Sequence, residues 1–206
     1  MKRLFIALAM MALCSFPAAS ANAGDFDIKP YIGVGLGMFQ LELQKDPDPL
    51  VAKAVSLKDN TFGGYVKLGA DVGDYLGAEV RIGGTGTAKK SYPATYIPAL
   101  GAFDAKLQTD FLVSYLLKLQ FPVSDALRIY ALGGGTTARG KVTIAKAGFQ
   151  DSKQVSKPSY GIGLEYSVDD QSRIGVEWMQ YWKNVKTGPY TKASIWGVVA
   201  TGTFSF

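Results

Sequence analysis

Tyr160-Gly161-Ile162-Gly163-Leu164-Glu165-Tyr166-Ser167-Val168 sets Tyr160, Ile162, Leu164, Tyr166 and Val168 against Gly161, Gly163, Glu165 and Ser167. Successive side chains of an extended chain point to opposite faces, so this period of two predicts a strand with one apolar face. Seven further segments share the pattern, over Ile28–Met38, Phe62–Val72, Leu76–Ile82, Phe111–Phe121, Leu127–Ala131, Ile174–Trp182 and Trp196–Phe206. The connections alternate in length. Gly73-Asp74, Ser124-Asp125-Ala126 and Asp169-Asp170-Gln171 are short, whereas four longer stretches run over about 43–60, 88–105, 139–157 and 184–192. Short turns at one end and long loops at the other predict an all-β, eight-stranded antiparallel up-and-down barrel.

The rest of the chain narrows the class. The 206 residues fit one domain, with 48% hydrophobic and 19% charged residues, 24 glycines, 25 aromatics and a net charge of +5. The lone cysteine, Cys14, and the absence of histidine exclude an intrachain disulfide, a Cys/His zinc site and any Ser/His or Cys/His nucleophile pair. At the N-terminus Lys2 and Arg3 precede an uncharged apolar run over Leu4–Phe16, and Ala21-Asn22-Ala23 has the small-residue form of a cleavage site. We expect a cleaved signal peptide over 1–23 and a barrel domain over 24–206. Beyond Gly24 the longest uncharged runs fall short of the ~18 residues of a spanning helix, so membrane insertion requires a closed barrel.

Charge decides which barrel face meets which solvent. Lys29, Lys67, Arg81, Lys118, Arg128 and Arg173, with Asp27, Asp71, Glu79, Asp110, Glu165 and Glu177, all fall on the face opposite the apolar one. A water-soluble carrier would turn these charges outward and line its cavity with apolar groups, whereas an outward face carrying Phe62, Phe111, Phe121, Trp178, Trp182, Trp196, Phe204 and Phe206 is more apolar surface than water tolerates. The apolar face is therefore expected to meet lipid, and the charges to form an interior ion-pair network of Lys67, Asp71, Glu79, Arg81, Asp110, Lys118, Arg128, Glu165, Arg173 and Glu177, with Asp27 and Lys29 wet at the rim. Large interior groups such as Tyr65, Tyr130 and Tyr181 should block a continuous channel. Tyr31, Tyr75, Phe121, Tyr160, Trp182 and Tyr190 fall near strand ends, as aromatic girdles do.

The export segment, the opening strand Lys29-Pro30-Tyr31-Ile32-Gly33-Val34-Gly35-Leu36-Gly37, the eight alternating strands and the closing Thr203-Phe204-Ser205-Phe206 resemble the small outer-membrane β-barrel family that includes the OmpA transmembrane domain, OmpX and neisserial opacity proteins. The resemblance spans the mature chain, and no peptidoglycan-binding domain is expected to follow. It implies the outer membrane of a Gram-negative bacterium, contact with outer-membrane lipid and lipopolysaccharide, and a role in adhesion, surface interaction or membrane integrity. It also implies that Phe204 and Phe206 form the C-terminal signal read by the barrel-assembly machinery.

No G-x-S-x-G, phosphate loop or dinucleotide fingerprint opens a helix, and no cofactor, metal or nucleic acid is expected. The leading expectation is a monomeric, non-enzymatic barrel. The alternatives are a narrow channel or transporter for small solutes and, more distantly, an enzyme acting on outer-membrane lipid. Two loop features stand out. Arg139, Lys141, Lys146, Lys153 and Lys157, with Lys186 and Lys192, form a candidate basic surface rim suited to lipopolysaccharide phosphates or a host polyanion. Uncharged Tyr92–Leu100 is a candidate contact surface for a host or surface ligand.

Overall fold

Among the described residues nine strands follow one another with no α-helix between them: β1 (Ile28–Lys45), β2 (Val55–Val72), β3 (Leu76–Thr85), β4 (Thr87–Tyr92), β5 (Phe103–Pro122), β6 (Leu127–Ile144), β7 (Phe149–Ser167), β8 (Ser172–Gly188) and β9 (Thr191–Ser205). They belong to a computed structural model that describes residues 27–45, 55–93, 101–144, 146, 148–188 and 191–206. The expected export segment, most of the uncharged 92–100 stretch and Tyr190 lie outside the described residues.

All pairings are antiparallel. Each strand pairs with its chain neighbours except that β3 and β4 do not pair with each other; β1 also pairs with β9, and β3 reaches past β4 to pair with β5, so the sheet closes into a ring. β3 and β4 are one stave interrupted at Gly86, whose amide donates to the Phe62 carbonyl at 2.8 Å. Counted this way the barrel has eight staves. The last described amide, that of Phe206, donates to the Pro30 carbonyl at 3.0 Å and ties the C-terminus to the opening strand.

The turn-end half is apolar outside and polar inside. On β1, Ile32, Val34, Leu36 and Met38 point out while Tyr31, Gly33 and Gly35 point in; Leu117, Leu119, Ile162, Ile174 and Val176 continue the exposed belt around the ring. Water does not tolerate so large a contiguous apolar surface, and lipid does.

The loop-end half inverts this. Without any break in its pleat, β1 passes from Met38 outside and Gly37 inside to Gln40 and Glu42 outside and Phe39 and Leu41 inside. β2 does the same, with Lys58 and Asn60 turned out beyond Phe62 and Leu57 turned in. On β5 the inversion coincides with a bulge between Thr109 and Phe111, and on the third stave with the break at Gly86.

The stretches expected to be loops over 139–157 and 184–192 are therefore largely strand, and those over 43–60 and 88–105 are strand at both ends. The reason is physical: an apolar-in, polar-out ladder standing in water looks like an ordinary soluble strand, out of phase with the lipid-facing pattern below it.

Above the belt the ring also opens. β2 pairs with β3 only as far as Gly63↔Thr85, and β7 pairs with β8 only as far as Tyr160↔Gln180. Beyond these rungs β1, β2, β8 and β9 form one sheet and β4, β5, β6 and β7 another. The two pack face to face as a β-sandwich standing on the barrel, with Phe39, Leu41, Leu57, Val185 and Ile195 against Ala88, Tyr92, Phe103, Leu107 and Ala138.

Candidate functional site

Inside the turn-end half two linked ionic clusters fill the lumen. The one nearer the loop end is built on Arg81 of β3, fully buried, whose guanidinium grips both carboxylate oxygens of Glu177, Nη1 to Oε1 and Nη2 to Oε2 at 2.6 Å, while Nε donates to Glu79 at 2.6 Å. Tyr65 and Tyr130 donate their hydroxyls to the same Glu177, at 3.2 and 3.0 Å. The Tyr65 ring also lies under the guanidinium, 4.6 Å from centroid to Cζ.

The cluster nearer the turns is centred on Glu165, which accepts from Lys118 at 2.9 Å and Lys67 at 3.4 Å and lies 3.6 Å from Arg173. Arg173 donates to Asp71 at 2.8 Å. Tyr31 joins the two clusters: its hydroxyl donates to Glu79 at 2.9 Å, and its ring lies within 5.3–5.7 Å of the cationic centres of Lys67, Lys118 and Arg173.

Four cations and four anions thus share one buried space, so the formal charge sums to zero and each charge faces an opposite one. A buried ion pair of this kind is costly to break from one side, because the partner left behind is desolvated and uncompensated.

Two residues expected in this network lie elsewhere. Asp110 is exposed, because the bulge between Thr109 and Phe111 sets two residues of β5 against one of β6 and leaves it on the outside. Arg128 is half-buried beside the turn that begins β6, and it makes none of the interior ion pairs.

Two expected girdle residues are likewise interior. Tyr31 is the hub just described. Trp182 is buried because a register shift between Gln180 and Trp182 turns both Tyr181 and Trp182 inward, where the indole donates to the Thr136 carbonyl at 3.3 Å. Tyr75 stacks obliquely on Phe121 at the turn end, and Tyr160 on Trp178 at the other edge of the belt. Phe204 packs edge-on against Phe206, both exposed at the turn end.

Three tyrosines complete the network. Each sits directly across from a glycine on the neighbouring strand: Tyr31↔Gly69, Tyr65↔Gly35 and Tyr130↔Gly163. The glycine is required by close approach. A Cβ on Gly69 would come within 2.5 Å of the Tyr31 ring and 2.7 Å of the Ala78 carbonyl. These interior glycines are seats for aromatic rings lying across the strands, a pairing that only the register reveals.

The basic residues spread over the loop-end sandwich. Arg139 and Lys141 are on β6, Lys153 and Lys157 on β7, Lys186 on β8 and Lys192 on β9, while Lys146 caps the β6–β7 connection and donates to the Ala102 carbonyl at 2.9 Å. Tyr92, from the uncharged stretch, is buried against Phe103 with rings stacked at 5.3 Å, so it serves the sandwich core.

A closed ring with an apolar outer belt and a charge-paired lumen defines a membrane-spanning β-barrel. The family model described as outer membrane protein beta-barrel domain matches residues 5–204. The chain belongs to this family, whose setting is the outer membrane of Gram-negative bacteria. Among solved structures the chain is similar to the neisserial surface protein A, at 14% identity over 86% of this chain and 97% of that one, with a TM-score of 0.55. It is also similar to the outer membrane protein OprG from Pseudomonas aeruginosa, at 12% identity over 86% and 96% of the two chains, with a TM-score of 0.50. No curated protein matches it.

Proposed function

We propose that this barrel is a non-enzymatic, monomeric surface protein whose membrane part is a sealed anchor and whose loop-end sandwich makes the contacts. The observation that carries this reading is the lumen. Arg81, Lys67, Lys118, Tyr31 and Tyr65 are buried and linked through Glu79, Glu165 and Glu177, and above them Ser114, Thr136 and Ser159 form a hydrogen-bonded layer beneath Trp182 and the stacked pair Phe39–Tyr181. A lumen packed in three successive layers supports anchoring over conduction. The exposed basic side chains of the sandwich support contact with anionic groups, either lipopolysaccharide phosphates or a host polyanion.

Residues 1–23 act as the cleaved export signal in this reading, and Phe204 and Phe206 as the signal read by the assembly machinery. The test is electrical. Purified protein reconstituted in planar bilayers should give no stable single-channel openings. Discrete, reproducible openings would overturn the sealed-anchor reading in favour of a narrow channel.

A further inference from the structure

The lipid-facing belt is not smooth. On β6 its outward column runs Ile129, Ala131, Gly133 and Gly135, and the small members leave a trough between tall neighbours. Ala131 lies directly across from Leu119 of β5 on one side and Ile162 of β7 on the other, both standing out into lipid. A Cβ on Gly133 would meet nothing within 4 Å, whereas one on Gly135 would strike the Tyr115 ring at 2.5 Å, so Tyr115 closes the trough toward the loop end. Trp178 of β8, tilted against Tyr160, forms the far wall of a groove of about 770 Å³. Sites that hold small molecules span ~300–1,000 Å³. From Ile129 to Gly133 the trough runs ~14 Å along the strand, close to half of a ~30 Å hydrocarbon core, which suits one chain from one leaflet. A groove that opens onto hydrocarbon is filled by hydrocarbon.

The lower end of the trough carries a charge. Arg128 stands one residue before Ile129 at the turn end, the periplasmic side of outer-membrane barrels. It is half-buried and makes no ion pair among the described residues. Glu165 lies directly across from it in the β6–β7 register but is already held by Lys118 and Lys67. The carboxylates of the adjoining turns, Asp125, Asp169 and Asp170, are exposed, and Asp169 accepts the amides of Gln171 and Ser172 at 2.8 and 2.7 Å. A guanidinium without a carboxylate at this depth attracts an anion, and its planar fork fits two oxygens of a phosphate.

We propose that the groove and Arg128 together hold one anionic phospholipid of the turn-side leaflet, with an acyl chain lying along Ala131 and Gly133 and the headgroup phosphate on the Arg128 guanidinium. Arginine carries its charge on a long apolar stem, so it reaches the headgroup layer from the barrel rim. Lys29, an exposed cation at the same end, is already paired with Asp27 at 2.8 Å. Shape therefore selects the chain and one uncompensated cation selects the headgroup.

Trp178 in the groove wall is the reporter, in protein carrying Trp182→Phe and Trp196→Phe and reconstituted in phosphatidylcholine vesicles. A small fraction of the lipid carries bromine on its acyl chains, as phosphatidylglycerol in one arm and as phosphatidylcholine in the other, and bromine quenches an indole it touches. Phosphatidylglycerol should quench Trp178 as strongly as about five times as much phosphatidylcholine. Arg128→Gln and Ala131→Phe should each erase that preference, whereas Lys29→Gln should keep it. Trp196 on β9, tested as the one remaining tryptophan, should show no preference. Arg128→Gln should unfold in urea at the parent midpoint, which separates loss of the site from loss of the fold. Native mass spectrometry of the wild-type protein, which needs no tryptophan change, should retain one phosphatidylglycerol that Arg128→Gln releases. Equal quenching by the two lipids would overturn the site and leave ordinary annular lipid. A preference removed by Lys29→Gln as fully as by Arg128→Gln would be diffuse charge attraction and would overturn it too. A dimer mass with a Trp178 that neither lipid quenches would seat a second barrel on the groove, again overturning the lipid site.

Discussion

The two halves of this barrel use the same backbone and opposite chemistry. Along β1 the odd-numbered side chains point inward from Tyr31 to Leu41, yet below Met38 the inward set is tyrosine and glycine around an ionic core and above it the inward set is phenylalanine and leucine. In the belt the surrounding solvent is hydrocarbon, so apolar residues face out, and the polar interior holds together by pairing its charges. In the sandwich the surrounding solvent is water, so the apolar residues retreat inward and the hydrophobic effect does the holding. Pleat and inward parity are thus dictated by the chain, and the residue placed at each position by the solvent outside.

Breaking the ionic core should cost most. Arg81→Ala leaves Glu79 and Glu177 buried without their cation, and we expect a loss of ~3–5 kcal/mol in urea unfolding from lipid vesicles. In the sandwich the matching core change is Leu41→Ala, which removes a fully buried side chain and should cost about 2–5 kcal/mol. Because the two losses arise from different forces, high salt should alter the ranking little, both sites being shielded from solvent.

A third pair of variants tests the boundary itself. Val34→Lys places a charge in the lipid belt and should destabilise by about 2–4 kcal/mol, whereas Glu42→Lys, on the same face of the same strand in water, should stay within about 0.5 kcal/mol. Equal effects would erase the distinction between the halves.

Removing Phe206 takes away a lipid-facing aromatic that contributes ~1.5–3 kcal/mol of burial. If the terminal aromatics act as an assembly signal, outer-membrane yield in cells should fall far more than the thermal stability of protein refolded in detergent. A normal yield would reduce Phe206 to one more belt residue. The smallest effect belongs to Lys186→Ala on the exposed rim of the sandwich, expected within about 0.5 kcal/mol of wild type in the same urea experiment.

The barrel was legible because lipid leaves a one-sided apolar alternation, as in Tyr160–Val168, and because charges such as Lys67, Glu79 and Glu177 sat consistently on the other face. The sandwich was not. Gln40, Glu42 and Gln44 alternate with Phe39, Leu41 and Leu43 as clearly as any belt residues, but in the opposite phase to Ile32–Met38, and next to the belt pattern that phase reads as a loop. Bulges hid the rest. Asp110 and Trp182 change face because one extra residue is inserted beside each of them, and no local composition marks the insertion. The role of Tyr31 was hidden for a different reason. A tyrosine near a strand end suits a girdle and a lumen equally, and only its pairing with Gly69 in the register decides between them.

The neutral lumen has an electrical consequence. Of its two clusters, the one nearer the loop end, Glu79, Arg81 and Glu177, carries a formal charge of −1, and the one nearer the turns, Asp71, Glu165, Lys67, Lys118 and Arg173, carries +1. A potential across the membrane does work only on charge that moves through it. Here opposite charges are locked together, largely across the lumen, so a field acting on the whole set exerts no net force. It meets a fixed axial dipole with no gating charge, and the barrel should sit indifferent to voltage in a membrane whose ionic balance shifts with its surroundings.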